Sequence, residues 1–248
     1  MFNIQGKKVI ITGAAGGLGK GMAEGFCQAG ANIAIIDISP ALNDTVKELS
    51  KISTAYAVQA DISTSAERAK AFKKAFDLLG GVDVMVNCAG IQRRSPSEDF
   101  SMEDWNLVVE INMTAVFDFC QLAGREMLKQ GKGKIVNVAS MLSYFGGYTV
   151  PAYAASKGGV AQLTKALSNE WAKKNINVNA IAPGYMATEM NKNLIADKDR
   201  NDKILARIPA GRWGTPDDVK GAVLFLSSPA SDYINGAIIP VDGGYLGC

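Results

Sequence analysis

The sequence predicts an α/β fold in one domain: a parallel sheet with helices on both faces. Two observations carry this. Short β-branched runs alternate with longer amphipathic segments along all 248 residues. The strand runs are also almost continuously apolar, as in Val9-Ile10-Ile11-Thr12 and Asn32-Ile33-Ala34-Ile35-Ile36. A strand with one wet face alternates polar and apolar residues, so continuous apolarity means cover on both sides. No Pro-, Gly- or Ser-rich linker and no break in composition divides the chain, which sets a single domain over 1–248.

The elements follow in order. A small-residue helix runs from the Gly-rich segment after Thr12 to Ala29. A second helix opens at Ser39-Pro40, since proline suits the first helical position. Ala55 to Val58 is a strand, and Thr64 starts a helix with Glu67 completing a capping box. Val82 to Val86 precedes a long helix from Ser101 to about Gln130. Lys134 to Val138 precedes a helix reaching about Lys174, and Asn177 to Ile181 follows. Thr215, Pro216, Asp217 and Asp218 place a cap, a proline and two acids at another helix start. Ala237 to Ile239 is the last strand, and the charged segment from Lys192 to Lys203 reads as a solvated helix over the site.

Composition removes several classes of function. A net charge of +2 gives no basic face for nucleic acid or an anionic membrane. The longest uncharged run, Ile135 to Ser156, is too polar to span a bilayer. No apolar leader core follows Met1, so a soluble cytoplasmic protein is expected. The 4 cysteines, Cys27, Cys88, Cys120 and Cys248, lack ligand spacing and read as reduced thiols. The chain has 0 histidines, which excludes Ser-His-Asp and Cys-His catalysis and histidine-ligated metals. No metal is expected. Acid/base work falls to tyrosine, lysine or carboxylates.

Tyr153 and Lys157 stand four apart in Pro151-Ala-Tyr-Ala-Ala-Ser-Lys157, thirteen positions after Ser140. On a helix they share a face. A free phenol, with a pKa of roughly 10, is a poor base near neutrality, and an adjacent ammonium is expected to draw it down. Taken alone the spacing is common, and an ordinary Tyr with an exposed Lys is the alternative.

At the first strand–helix junction stands Thr12-Gly13-Ala-Ala-Gly16-Gly17-Leu18-Gly19. A glycine-rich turn there lets backbone approach a pyrophosphate at a helix N-terminus. Asp37 ends the second strand, where an acid accepts hydrogen bonds from ribose hydroxyls and repels a 2′-phosphate. No Lys or Arg lies at 38–41, so NAD is expected over NADP. Asp61 fits either an adenine contact or a turn. Arg93 and Arg94 follow the fourth strand, where a guanidinium could fork onto a substrate carboxylate. Exposure or pairing with Glu98 and Asp99 is the alternative. Arg212 is a further arginine, better suited to a structural pairing.

Together these motifs resemble the short-chain dehydrogenase/reductase family, over essentially the whole chain. They are Thr12-Gly13-x-x-x-Gly17-x-Gly19, Asp61, Asn87-Cys88-Ala89-Gly90, Asn112, Ser140, Tyr153-x-x-x-Lys157, and Pro183-Gly184 followed by Thr188. Cys88 departs from the pattern, where a second Asn is frequent. The resemblance implies a Rossmann-like doubly wound sheet of seven parallel strands, a homotetramer, and a lid at about 186–214. It implies Tyr153 as general acid/base, Lys157 on the phenol and nicotinamide ribose, Ser140 on the substrate oxygen, and Asn112 anchoring a water. Cofactor contacts are implied for Gly13, Gly17, Leu18, Gly19, Asp37, Ile38, Asp61, Ile62, Asn87, Ala89, Gly90, Pro183, Gly184, Met186 and Thr188, besides Tyr153 and Lys157. Segments around Gly90 to Arg94, Ala139 to Ser143, Ile181 to Thr188 and Arg207 to Gly214 resemble the branch that acts on sugar acids. A small sugar acid is therefore the expected partner, held by Ser140, Tyr153, Arg93 and Arg94.

Overall fold

A computed structural model describes residues 1–248. In chain order the elements are β1 (Lys8–Thr12), α1 (Gly17–Gln28), β2 (Asn32–Asp37), α2 (Leu42–Leu49), β3 (Ala55–Gln59), α3 (Ser65–Leu79) and β4 (Val84–Asn87). Then come α4 (Met102–Val109), α5 (Ala115–Gln130), β5 (Gly133–Val138), α6 (Pro151–Trp171), β6 (Ile176–Pro183), α7 (Lys192–Ala196), α8 (Lys198–Leu205), α9 (Pro216–Ser227) and β7 (Ile238–Val241). All seven strands pair in parallel, in the order β3-β2-β1-β4-β5-β6-β7.

Side-chain alternation along each strand divides the interior in two. Val9 and Ile11 of β1 pack with Met22 and Phe26 of α1 and with Val219 and Val223 of α9. Ile10 points the other way, toward Phe72 of α3, Phe119 of α5 and Val160 of α6. Both populations are fully buried, which accounts for the unbroken apolar runs. Each such side chain contributes about 1.5–3 kcal/mol of transfer free energy.

Three local expectations change. The second helix begins at Leu42 rather than Ser39-Pro40, because Ser39 N–H is drawn to Asp37 Oδ1 at 2.9 Å. Thr64 Oγ1 accepts from Glu67 N–H at 3.4 Å, but the Glu67 carboxylate turns to Lys70, so only half of the capping box forms. The segment over the site is two short helices. Asp197 ends α7 and caps α8 by accepting from Arg200 N–H at 3.2 Å. At Thr215 the capping box with Asp218 is complete.

The long helix is continuous over Met102–Gln130 and contains one wide turn at Glu110–Thr114, closed by Ala115 N–H donating to the Glu110 carbonyl. By length and composition it could cross a membrane, but 50% of its most apolar window is buried inside the fold.

Candidate active site

A cleft of about 850 Å³ opens at the carboxyl ends of the central strands, where the chain order reverses between β1 and β4. Open α/β sheets bind ligands at such a crevice, and the size suits a dinucleotide with a small substrate. Gly13 (φ +71°) and Gly17 (φ +55°) shape its floor. A Cβ on Gly13 would lie 2.5 Å from Ala89 Cα, and one on Gly19 would strike the Gly13 carbonyl. Thr12 Oγ1 ties the β1 and β4 ends by accepting from Cys88 and Ala89 N–H, each at 3.2 Å. The turn is a cradle that side chains would fill.

Asp37 is fixed at the edge of this cradle. Its Oδ2 accepts from Ala15 N–H at 2.9 Å while Oδ1 takes the Ser39 bond, so the acid stays beside the glycine turn. Ile38, Asp61 and Ile62 line the same end. Asp61 also makes its turn, accepting from Ser63 N–H at 2.9 Å. The only cations lining the cleft are Arg93 and Lys157.

Leu18, Ala89, Gly90, Pro183, Gly184, Met186 and Thr188 line the cleft as expected, but Asn87 does not. Its amide points between β4 and β5, donating to Asn137 Oδ1 at 2.8 Å and to Cys120 Sγ at 3.3 Å. Asn87 organises strand ends from inside the core, and its Oδ1 is buried without a partner.

Tyr153 and Lys157 lie across the cleft on α6. Lys157 is 3% exposed, and its Nζ donates to the Val138 carbonyl at 2.6 Å and lies 5.8 Å from the Tyr153 ring centroid. Ser140 Oγ accepts from Leu142 N–H at 3.1 Å. Ser143 Oγ accepts from Ser140 N–H at 3.3 Å and donates to the Lys157 carbonyl at 2.7 Å, which locks the Ser140 turn to α6. The Asn112 side chain is 0% exposed. Its Oδ1 accepts from Ile91 N–H at 2.8 Å, and its Nδ2 donates to the Ile91 carbonyl at 2.9 Å and to Ser156 Oγ at 3.3 Å.

One electrostatic expectation reverses. Burial pushes the Tyr153 phenol up to about 12; the Ser140 hydroxyl, and not Lys157, is the main neighbour opposing that shift. Burial also brings Lys157 down to about 8. Desolvation penalises both charged forms, and it outweighs an ammonium held by the Val138 carbonyl. Cys88 is raised to about 11 by burial, which makes it a poor nucleophile.

The two candidate arginines part company. Arg93 Nε donates to Asp104 Oδ1 at 3.2 Å, a partner other than the expected Glu98 or Asp99. Arg94 makes no ion pair within 4.0 Å. Partial burial pulls its pKa down, the positive charge of Arg200 adds to that, and the phenols of Tyr185 and Tyr153 act in the opposite sense. Arg94 lies outside the lining of the cleft at an exposed position, with Tyr153, Tyr185 and Arg200 within electrostatic reach. Arg200 went unrecognised because it sits in a charged run that reads as solvated surface. Arg212 forks onto Asp218 at 2.8 and 2.7 Å and holds that carboxyl well below its usual range.

The family model described as Enoyl-(Acyl carrier protein) reductase matches residues 13–246. The 2-dehydro-3-deoxy-D-gluconate 5-dehydrogenase of Dickeya dadantii is 49% identical over 247 residues, covering 99% of this chain and 97% of that protein. A crystal structure from Agrobacterium tumefaciens with bound NADP, provisionally described as a 2-deoxy-D-gluconate 3-dehydrogenase, superposes with TM-score 0.94. It has 46% identity and covers 100% of this chain and 99% of that one. A gluconate 5-dehydrogenase from Burkholderia cenocepacia in complex with NADP and tartrate gives TM-score 0.94 at 38% identity, covering 100% and 98%.

Proposed function

The chain belongs to the short-chain dehydrogenase/reductase family, and on that premise we propose that it interconverts a secondary alcohol and a ketone on a sugar acid with NAD, as a 2-dehydro-3-deoxy-D-gluconate 5-dehydrogenase or 2-deoxy-D-gluconate 3-dehydrogenase. Its chemistry is that of a dehydrogenase acting on CH–OH groups. The observation that carries the substrate reading is the Tyr153 phenol, which lines the cleft with Lys157, Ser140 and Arg93, while Arg94, a guanidinium with no acidic partner, lies within electrostatic reach of it. An acid/base group beside a free carboxylate receptor suits a hydroxy acid. The names of the relatives point the same way.

In this reading Ser140 Oγ holds the substrate oxygen and Tyr153 takes the hydroxyl proton. Asn112, clamped on both amide atoms by Ile91, anchors the proton path behind Lys157. Arg94 and Arg200 take the carboxylate, and the 186–214 segment acts as the lid. Pro183 to Thr188 and the glycine turn hold the cofactor, which supplies the hydride acceptor.

NAD is preferred here because Asp37 and Asp61 are the charged groups lining the adenosine end, with no cation to receive a 2′-phosphate. NADP in the neighbouring structures makes this the sharp test. A spectrophotometric screen of deoxy- and keto-gluconates with both cofactors should give kcat/KM at least about 10-fold higher with NAD+, about 1.4 kcal/mol of discrimination. Equal rates would remove the NAD assignment. Turnover of an enoyl or 3-oxoacyl thioester without turnover of any sugar acid would replace the substrate class.

Burial sets the Tyr153 phenol at about 12 and the Lys157 ammonium at about 8, so Lys157 releases its proton first. Sugar-acid oxidation, which needs the phenol to lose its proton, should therefore rise with pH through and beyond about pH 9, while ketone reduction, which needs the protonated phenol, holds across about pH 7 to 9. A reduction rate that falls with an apparent pKa of about 7 would contradict the raised phenol.

A further inference from the structure

Arg68 lies outside the cleft and is 3% exposed. From α3 its guanidinium reaches three acceptors. Nε donates to Asp118 Oδ2 at 2.6 Å, and Nη1 donates to Glu110 Oε1 at 2.7 Å and to the Ile62 carbonyl at 2.8 Å. Burial alone would depress the guanidinium, but its bonds to Asp118 and Glu110 outweigh this and the net shift is upward. A buried charge of this kind is tolerated only when paired and hydrogen-bonded, and Arg68 meets both conditions.

What the three acceptors belong to gives the cluster its meaning. Ile62 lines the cleft next to Asp61 at its adenosine end. Glu110 opens the wide turn, and Asp118 lies in the first turn of α5 just beyond it. Asn112 stands between them. A helical turn closed by an i→i+5 bond is rare, is confined to single turns, and occurs often at functional sites. The extra residue shifts every later side chain by about 100° relative to a regular helix. Here the wide turn brings Asn112 onto both backbone atoms of Ile91 and onto Ser156, one residue before Lys157. Nothing in Glu-Ile-Asn-Met-Thr forbids regular helix, so contacts beyond that helix hold the turn open, and Asn112 supplies one set of them through Ile91 and Ser156. Arg68 is the buried group that grips it on both sides.

We propose that Arg68 is a positioning residue for the reaction: a clamp that holds the Glu110–Thr114 turn in its widened form and ties it to the Ile62 loop, so that cofactor seating and the placement of Asn112 are set together. The proposal rests on the role given to Asn112 above.

A double-mutant cycle on kcat tests it. Arg68→Met should lower kcat by about 10- to 100-fold, the scale of a small misplacement of a reacting group, with KM for the sugar acid within about 3-fold. In an Asn112→Ala background the same change should cost kcat nothing further, because residues acting through one another are non-additive. Glu110→Met leaves Arg68 paired with Asp118, and it carries the same cycle should Arg68→Met fail to fold. A full additive loss in the Asn112→Ala background, or an unchanged kcat in both single variants, overturns the clamp. Full activity in Asn112→Ala alone overturns the role of Asn112, and the clamp with it.

Discussion

Tyr153→Phe is expected to lower kcat by about 10³- to 10⁴-fold while NAD binding stays within about 3-fold, measured by steady-state kinetics and by fluorescence titration of the cofactor. The substitution removes one oxygen and keeps the ring, so the walls of the cleft are unchanged. The loss is large because nothing nearby can stand in. The chain has no histidine. Burial holds Cys88 near 11 and out of acid/base work at neutral pH. Lys157 is occupied at the Val138 carbonyl. Ser140 has no neighbouring base once the phenol is gone. A Tyr153→Phe protein retaining more than about a tenth of wild-type turnover would take the proton-transfer role away from this residue.

Gly13→Ala is expected to cost roughly 2–5 kcal/mol of folding stability and to abolish measurable NAD binding. Two penalties add: a non-glycine residue in the left-handed region, about 1–2 kcal/mol, and overpacking, about 1–3 kcal/mol. Both are present at this position, where φ is +71° and the new Cβ would sit 2.5 Å from the Ala89 backbone. The Thr12 hydroxyl holds Ala89 in place, so neither strand end can yield cheaply. Gly16→Ala is the internal control. Its φ is −163° and its Cβ would meet nothing within 4 Å. Urea midpoints of the two variants should differ clearly, and equal midpoints would show that the turn is more pliable than its geometry implies.

Much of this architecture is written in short-range patterns. Continuous apolar strands specify a sheet covered on both faces, and the sheet order then brings Gly13, Asp37, Ser140 and Tyr153 to one crevice. What sequence withholds is burial and long-range partners. The direction of the Tyr153 shift depends on desolvation by residues far apart in the chain, so the nearby Lys157 suggested the wrong sign. Arg68 lies on an amphipathic helix where an arginine reads as solvated surface, and its partners are 42 and 50 positions away. Asn87 matches a cofactor motif, yet strand alternation points its amide into the core. The break at Asp197 was missed because one charged run fits one helix as well as two.

The all-parallel strand order also governs how the chain is made. The β1 strand, which carries the glycine turn, bonds on one side to β2 and on the other to β4, and the Lys8 N–H that opens this second seam finds Asp83 75 positions later. At a synthesis rate of roughly 5–20 residues per second, that is about 4–15 s of elongation. Throughout it β1 is an apolar strand with a bare edge, the exposure that parallel topologies impose on nascent chains. The strand that carries the cofactor cradle is thus among the first parts translated, and it waits for β4 before both of its edges are paired.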